Sequence, residues 1–447
     1  MKPLALLLSL AILAGCSANH LAQPSAGAAH FSIARHESRP AGPHFANFHP
    51  LRAPRPRGLI LQPGDRLAIC GDSITEQRMY SRIMETYLTV AVPELHIDVR
   101  QYGWSGETAP GFLHRLTNDC LRFHPTIATT CYGMNDHRYQ AYTPEIGAQY
   151  RQAMTAIVES FKNAGARVVL GSPGCVGKTP RWARDPSVNP ELLNLNLCEL
   201  RNLDVLLARQ EGVRFADVFW PMYVEGYVAQ QRYGTNYALA GKDGVHPDWA
   251  GHLVMAYAFL HAFGLDGDIG TFTVDLRRGW AQVSPGHELL GFTHGELQVR
   301  SRRYPFCAPA GDPSQPNNLR SGMALVPFNR ELNRLMLVVK HPAARLYRVT
   351  WGATTRSFTA HQLAKGVNLA VDFPTNPFSE AFERVDTAVA AKQAFETKQI
   401  KQLFHGEAGR RDMASTVASS EKDRAQLVTA IQDAFVPVTH TIRIEPE

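Results

Sequence analysis

Short apolar runs alternate with longer stretches of helical periodicity over the first half of the chain. The runs predict five strands, at residues 66–70, 96–102, 126–132, 167–170 and 213–216. The stretches between and after them predict helices at residues 144–164, 190–211 and 248–263. Thr143 and Pro144 are typical of a helix start. Strands that alternate with helices indicate a parallel sheet covered on both faces. We therefore expect an α/β fold, a three-layer sandwich, over residues 59–268.

The pattern changes after about residue 270, where short runs bounded by glycine and proline predict a β-rich region. The predicted strands are residues 271–276, 296–300, 335–339, 346–351, 367–373 and 440–445. Helical patterns interrupt them at residues 379–404 and 419–435. Several short strands separated by turn residues are typical of a sandwich. We expect residues 269–447 to form a β-sandwich-like accessory domain with a helical segment at about 379–435.

The N-terminal pattern is that of an export signal. Lys2 precedes an apolar run at residues 4–13, which is too short to span a bilayer. The small residues before Cys16 resemble the lipoprotein cleavage box of bacteria, and the alternative is an ordinary signal peptide with an incidental cysteine. The resemblance implies a signal peptide at residues 1–15 and a lipid on Cys16, and Ser17 favours the outer membrane. Residues 16–58 lack periodicity and predict a flexible tether.

Composition and charge narrow the class of protein. The 447 residues are 45% hydrophobic and 19% charged, which is typical of globular chains with a sizeable core. The net charge of +6 is mildly basic, and part of it comes from arginines that precede the first domain. No basic helix with interleaved aromatic residues and no zinc-finger spacing occurs. We therefore do not expect a nucleic-acid partner.

Six cysteines follow Cys16, and their spacing does not determine a pairing. They are Cys70, Cys120, Cys131, Cys175, Cys198 and Cys307. An exported protein can hold disulfides. Cys70 and Cys131, however, lie in apolar runs, where a buried thiol is the commoner explanation. Without Cys-x-x-Cys or His-Glu-x-x-His spacing, the sequence indicates no zinc site, and it implies no cofactor.

Four polar motifs stand at the ends of predicted strands or before the last helix of the first domain. They are Gly71-Asp72-Ser73, Gly-Trp-Ser-Gly-Glu-Thr at 103–108, Gly-Met-Asn-Asp at 133–136, and Asp-Gly-Val-His at 243–246. Each alone is a common loop sequence. A parallel sheet would bring the four together outside the carboxyl ends of its strands. They would then supply a nucleophile, a base, an orienting acid and oxyanion donors, the groups that acyl transfer requires.

This set of motifs, in this order, resembles the SGNH (GDSL-type) hydrolase superfamily over about residues 59–268. The resemblance implies a flavodoxin-like sandwich with Ser73 as nucleophile, His246 as general base and Asp243 as the acid that orients the imidazole. It also implies an oxyanion hole made by the backbone N–H groups of Ser73 and Gly106 and the side-chain amide of Asn135. No metal belongs to this site.

Several of these residues have a second interpretation. Ser73 could serve as a helix N-cap, a role compatible with catalysis. Asn135 could be an Asx-turn residue. Asp72 is expected to bond turn N–H groups, and His252 to be a packing or surface histidine. Four side chains could either line a substrate pocket or pack in the core: Trp104, Tyr132, His137 and Tyr139.

The neighbourhood of Ser105 does not support a different hydrolase fold. Ser105 lacks the second glycine of Gly-x-Ser-x-Gly at its proper offset, and so does Ser73. The nucleophile elbow of α/β-hydrolases is therefore absent.

The resemblance implies ester hydrolysis through an acyl-enzyme. Export, the β-rich region and the lack of a long apolar lid favour removal of short acyl groups, such as O-acetyl, from carbohydrate or cell-wall polysaccharide. A lysophospholipase or general short-chain esterase is the enzymatic alternative. A non-catalytic glycan-binding surface lipoprotein is the alternative of another class. The oligomeric state is not indicated.

Overall fold

A five-stranded parallel sheet organises the first half of the chain. In the computed structural model, which describes residues 36–447, its strands are β1 (Arg66–Gly71), β2 (Asp98–Gln101), β3 (Ile127–Cys131), β4 (Arg167–Gly171) and β5 (Arg214–Ala216). Their spatial order is β2-β1-β3-β4-β5, and every neighbouring pair is parallel. This order is flavodoxin-like, so the expected fold is confirmed.

Helices cover both faces of this sheet. They are α1 (Ser73–Glu76), α2 (Tyr80–Ala91), α3 (Ala109–Asp119), α4 (Pro144–Asn163), α5 (Pro190–Glu211), α6 (Phe219–Tyr233) and α7 (Trp249–Ala262). Along β1, Leu67 and Ile69 belong to one buried cluster, whereas Ala68 and Cys70 belong to the other. Successive side chains of a strand point to opposite faces, so the sheet separates two cores. The result is the three-layer sandwich.

The second half forms two further sheets. Its strands are β6 (Asp268–Asp275), β7 (Trp280–Val283), β8 (His287–Thr293), β9 (Glu296–Ser301), β10 (Arg334–Lys340), β11 (Leu346–Trp351), β12 (Thr354–Thr359), β13 (Val367–Asn368) and β14 (Val438–Pro446). They form a mixed sheet, β13-β10-β6-β7, and an antiparallel sheet, β12-β11-β14-β9-β8. Phe272 of the first sheet packs on His287 and His440 of the second. This contact between sheets agrees with the expected β-sandwich-like region.

The helices of the second half are α8 (Leu319–Leu325), α9 (Phe328–Glu331), α10 (Ala360–Lys365), α11 (Leu369–Asp372), α12 (Ser379–Lys398), α13 (Glu407–Arg411) and α14 (Met413–Ala434). A π-helical turn, Gln399–Phe404, extends α12. The strand predicted at 367–373 is wrong beyond its first two residues. The Asn368 side chain accepts from the Ala370 N–H and starts α11 there.

Helices α12 and α14 pack against the parallel sheet at β2. Lys392 donates to Val99 O of β2 and pairs with Glu85 of α2 and Glu396 of α12. Arg424 of α14 bonds the same Glu396. Residues 36–447 consequently pack as one compact unit. A separately folded accessory domain from residue 269 therefore stays a prediction that a truncation experiment must test.

The N-terminal segment departs from the predicted tether. Phe45 and Phe48 are 1% and 0% exposed and pack on aromatic residues of α6, and Leu51 is hydrogen-bonded to Asn202 of α5. The prediction of a flexible tether is therefore wrong over residues 36–58, because buried aromatic side chains hold the chain to the domain. The signal peptide, Cys16 and the rest of the tether lie outside the described residues. Within the described part, no helix is long and apolar enough to cross a membrane.

The six cysteines of residues 36–447 are all free and buried. Cys70 is 0% exposed and Cys131 5%, so the prediction of buried thiols is confirmed for both. Burial raises the pKa of Cys175 to about 12, and also raises the pKa of Cys131. These thiols are consequently protonated at neutral pH and act as small apolar groups.

Candidate active site

The first, second and third motifs follow β1, β2 and β3, at the edge where the strand order changes direction. Ser73 is the first residue of α1 and follows β1 directly. The N-cap of α1 is Asp72, whose carboxylate accepts from the Ile74 N–H at 2.9 Å. The suggestion that Ser73 caps the helix is therefore wrong, and the structural role expected for Asp72 is confirmed. Capping by Asp72 leaves the Ser73 hydroxyl free for chemistry.

The fourth motif brings a histidine and an aspartate to this serine. Ser73 Oγ lies 2.8 Å from His246 Nε2, although 173 residues separate them. His246 Nδ1 lies 2.7 Å from Asp243 Oδ2. With the proton on Nδ1, the aspartate holds it while Nε2 accepts from the serine hydroxyl. This is the geometry of an activated serine nucleophile.

Asp243 remains ionised because hydrogen bonds from residues of its own turn stabilise the carboxylate. Partial burial alone would raise the pKa of Asp243, but hydrogen bonds from the N–H groups of His246 and Val245 and from the imidazole hold it below its usual range. A carboxylate that is ionised at neutral pH can stabilise the imidazolium that forms when His246 takes the serine proton.

The expected oxyanion donors lie on α1 and on the loops that follow β2 and β3. The Ser73 N–H stands at the first helical position, where α1 offers it no carbonyl partner. Gly106 has φ +74°, which glycine adopts without strain. Asn135 Nδ2 donates to Glu107 O at 2.9 Å, and the Tyr139 hydroxyl donates to Asn135 Oδ1 at 3.4 Å. These two contacts orient the amide from outside its own turn, which favours the oxyanion role over an Asx-turn.

The sequence of residues 69–254 matches the model of the GDSL-like Lipase/Acylhydrolase family. The matched stretch contains all four motifs, including the serine, histidine and aspartate found in contact. Residues 69–254 therefore match a GDSL-like, SGNH-type ester hydrolase domain.

Parts of the chain are similar to solved structures. BT4096, described as a gut microbial diltiazem-metabolizing enzyme, is similar over 89% of this chain and 100% of its own, with 22% identity and a TM-score of 0.68. That likeness extends the shared fold into the β-rich half. Axe2, an acetylxylan esterase from Geobacillus stearothermophilus, is similar over 46% of this chain and 96% of its own, with 22% identity and a TM-score of 0.38. No curated protein sequence matches the chain.

A buried ion pair lies beneath the loop of residues 103–108, which carries Gly106 and is called the oxyanion loop below. Arg115 of α3 binds both carboxylate oxygens of Glu107 at 2.6 Å and donates to Tyr102 O at 2.6 Å. It also contacts Asp119 at 3.3 Å. Glu107 is the residue whose carbonyl orients Asn135. The sequence analysis includes Glu107 in a motif but assigns it no role. Arg115, eight residues later, was the signal that could have predicted an ion pair with Glu107.

A second carboxylate joins two of the motif loops. Asp136 accepts from the N–H groups of Ala109 and Gly133 at 2.9 Å each. Burial raises the pKa of Asp136 to about 6. The contact fixes the start of α3 beside the loop that presents Asn135.

The remaining aromatic and histidine candidates fall into two groups, those that are buried and those that are partly exposed. His252 is buried, accepts from the Tyr80 N–H through Nδ1, and has its pKa lowered to about 3 by burial, so the packing role is confirmed. Tyr132 and His137 are 0% exposed and pack in the core. Trp104 and Tyr139 are partly exposed. Within residues 36–447, no cluster of three or more histidine, cysteine, aspartate or glutamate side chains has the arrangement of a metal site.

Trp182 is a site residue that sequence reasoning missed. Its ring lies 6.0 Å from the His246 ring and 5.8 Å from that of Tyr139, and the residue is 43% exposed. It stands on a long loop between β4 and α5, in a stretch without periodicity. An exposed tryptophan beside His246 offers an apolar face to a bound molecule.

Proposed function

We propose that the protein is a serine esterase that removes short acyl groups, such as O-acetyl, from carbohydrate. The observation that carries the proposal is the contact chain from Ser73 Oγ to His246 at 2.8 Å and from His246 to Asp243 at 2.7 Å. A non-catalytic glycan-binding lipoprotein would have no need to keep this geometry.

The proposed reaction has two steps. Ser73 Oγ attacks the ester carbonyl carbon as His246 Nε2 takes its proton, and the oxyanion accepts from Ser73 N–H, Gly106 N–H and Asn135 Nδ2. The carbon–oxygen bond to the alcohol then breaks, and His246 returns the proton to that alcohol. Water, deprotonated by the same histidine, attacks the acyl-enzyme and releases the acid and free Ser73.

The carbohydrate assignment is supported by the rim of the site. Trp182 and Tyr139 present aromatic surface beside His246, where the leaving alcohol would stand. Flat aromatic faces pack well on the C–H faces of sugar rings. No long apolar segment flanks the motifs, as an interfacial lipase would need. A lysophospholipase or general short-chain esterase is the second candidate.

The proposed location is outside the inner membrane, with a lipid on Cys16 anchoring the chain in the outer membrane. The support comes from the sequence alone, through the apolar run and the small residues before Cys16. Export would place the site beside cell-wall and extracellular polysaccharide.

The experiment compares hydrolysis of p-nitrophenyl acetate and p-nitrophenyl octanoate by soluble protein that begins at Ser17. Ser73→Ala should abolish turnover, and Ser160→Ala, a helix serine far from the motifs in sequence, should leave it unchanged. Trp182→Ala should raise KM for acetylated oligosaccharides but not for p-nitrophenyl acetate. Preference for octanoate would move the second candidate forward. Equal activity of Ser73→Ala and wild type would refute the catalytic assignment.

A further inference from the structure

The π-helical turn Gln399–Phe404, which follows α12, contacts α1 and the loop of residues 103–108. Lys401 Nζ, on this turn, lies 2.7 Å from Glu76 Oε1. The other oxygen of Glu76 accepts from the Ser105 hydroxyl at 2.6 Å and from the Ser105 N–H. Lys401 also stands 5.2 Å over the Trp104 ring. One lysine therefore contacts both α1, the helix that begins with Ser73, and the motif at residues 103–108.

Glu76 connects the two elements that carry the expected backbone oxyanion donors. Glu76 ends α1, the helix that begins with Ser73, and Ser105 immediately precedes Gly106. The N–H groups of Ser73 and Gly106 are the two backbone donors expected to meet one oxyanion. One oxygen of the Glu76 carboxylate joins the elements that carry them, and Lys401 binds the other oxygen.

Glu76 stays charged in this arrangement. Burial alone would raise its pKa, but Lys401 and the two bonds from Ser105 together hold the pKa of Glu76 below its usual range. The side chains of Lys401 and Glu76 are only 28% and 18% exposed, so solvent screens the pair less than an open surface pair.

A second contact from the same turn supports the first. His405, which follows the π-helical turn, has Nε2 2.8 Å from Asp119 Oδ2 and its ring 5.0 Å from the ring of Trp104. Asp119 belongs to the network of Arg115 and Glu107 beneath the oxyanion loop. Lys401 and His405 thus both contact the Trp104 ring of the 103–108 motif.

We propose that Lys401 is a positioning residue of the esterase, holding the oxyanion loop against the helix of the nucleophile through Glu76. The helical segment after α12 is accordingly part of the catalytic unit and not a detachable module. The inference rests on the proposed function, because it concerns how fast Ser73 reacts.

Lys401→Met removes the ammonium group and keeps the length of the side chain. We expect kcat for p-nitrophenyl acetate to fall about tenfold with KM changed less than twofold. Complete loss of one oxyanion donor costs about 10²–10³ in rate. A smaller loss follows here because Glu76 keeps both bonds to Ser105 when Lys401 is absent.

Three further measurements separate positioning from folding. Lys398→Met, the same change at an exposed lysine on α12, should leave kcat and the melting temperature unchanged. Lys401→Arg, which can still bond Glu76, should restore most of kcat. Inactivation by diethyl p-nitrophenyl phosphate should slow in Lys401→Met in parallel with kcat. In that reaction Ser73 Oγ bonds phosphorus as His246 takes its proton, nitrophenolate leaves, and the phosphoryl oxygen occupies the oxyanion site.

The outcomes are distinct for the two proposals. An inactive wild-type protein would refute the proposed function itself. An active wild type with unchanged kcat in Lys401→Met would overturn only the positioning role. If Lys401→Met lost kcat together with its melting temperature, and Lys401→Arg regained the melting temperature but not kcat, the positioning role would also be overturned.

Discussion

Arg115→Met removes the cation that three acceptor groups share beneath the oxyanion loop. Arg115 and Glu107 are 7% and 8% exposed, and the arginine makes two 2.6 Å bonds to the carboxylate and one to Tyr102 O. Methionine fills a similar volume, so the change leaves no large cavity. Its main effect is that Glu107 becomes a buried, uncompensated charge.

The expected loss of stability follows from that burial. Removing one partner of a buried ion pair typically costs about 3–5 kcal/mol of unfolding free energy, whereas surface pairs contribute about 0–1 kcal/mol. The low exposure of both side chains places this pair in the first class. Glu107→Gln in the same background removes the uncompensated charge and keeps an acceptor for Tyr132, so the double variant should regain most of the loss.

The pH dependence has a definite sign. Burial already raises the pKa of Glu107 although Arg115 works against it, so the substitution raises that pKa further. A carboxyl group whose pKa is higher in the folded than in the unfolded state destabilises the fold increasingly as pH rises from its unfolded value of about 4.3 toward its folded value. Arg115→Met should therefore cost more stability at pH 8 than at pH 5.

Urea unfolding, followed by tryptophan fluorescence and by far-UV circular dichroism, would measure these differences at both pH values. Arg151→Met, at an exposed arginine of α4, is the control and should change the unfolding free energy by less than about 0.5 kcal/mol. A loss below about 1 kcal/mol for Arg115→Met, or a larger loss at pH 5 than at pH 8, would refute the reasoning.

Two more predictions test the oxyanion hole and the domain boundary. Asn135→Asp keeps the size of the side chain but replaces the donor with a charge facing Glu107 O. In steady-state assays, kcat for p-nitrophenyl acetate should therefore fall at least about 10²–10³-fold. A loss under tenfold would exclude Asn135 from the oxyanion hole. A fragment of residues 36–268 lacks α12, which covers Gln101 and binds Val99 O through Lys392, so it should not unfold cooperatively in a melting experiment. A cooperative, active fragment would establish the two-domain division.

The positions of the central strands, and the meeting of Ser73, His246 and Asp243 beyond their ends, could be predicted from the sequence. Parallel strands that are buried on both faces appear in the sequence as apolar runs. The right-handed crossover of each strand–helix–strand unit keeps the strands parallel, so all their carboxyl ends lie at one edge of the sheet. Ser73, Gly106, Asn135, Asp243 and His246 were therefore assigned from motifs that follow those runs. The helix at Pro190–Glu211 was also predicted to the residue, because Asn189 and Pro190 begin it and Gly212 ends it.

Other features have no local signal. The strand predicted at 367–373 failed because one side-chain cap at Asn368 turned an apolar run into a helix. The tether prediction failed over residues 36–58 because a stretch without periodicity can still bury Phe45 and Phe48 against a distant helix. Burial of single aromatic side chains depends on what lies opposite them, which local pattern does not show.

The sequence by itself determined the order of strands and helices and the identity of the candidate reacting groups, because hydrophobic periodicity and turn residues act over a few positions. The tertiary structure decided which distant side chains support those groups. Lys401 and Glu76 are 325 residues apart, and His405 and Asp119 are 286 apart. Charged pairs of this kind arise only when α12 packs on the parallel sheet, since ion pairing depends on distance in space and is indifferent to distance along the chain.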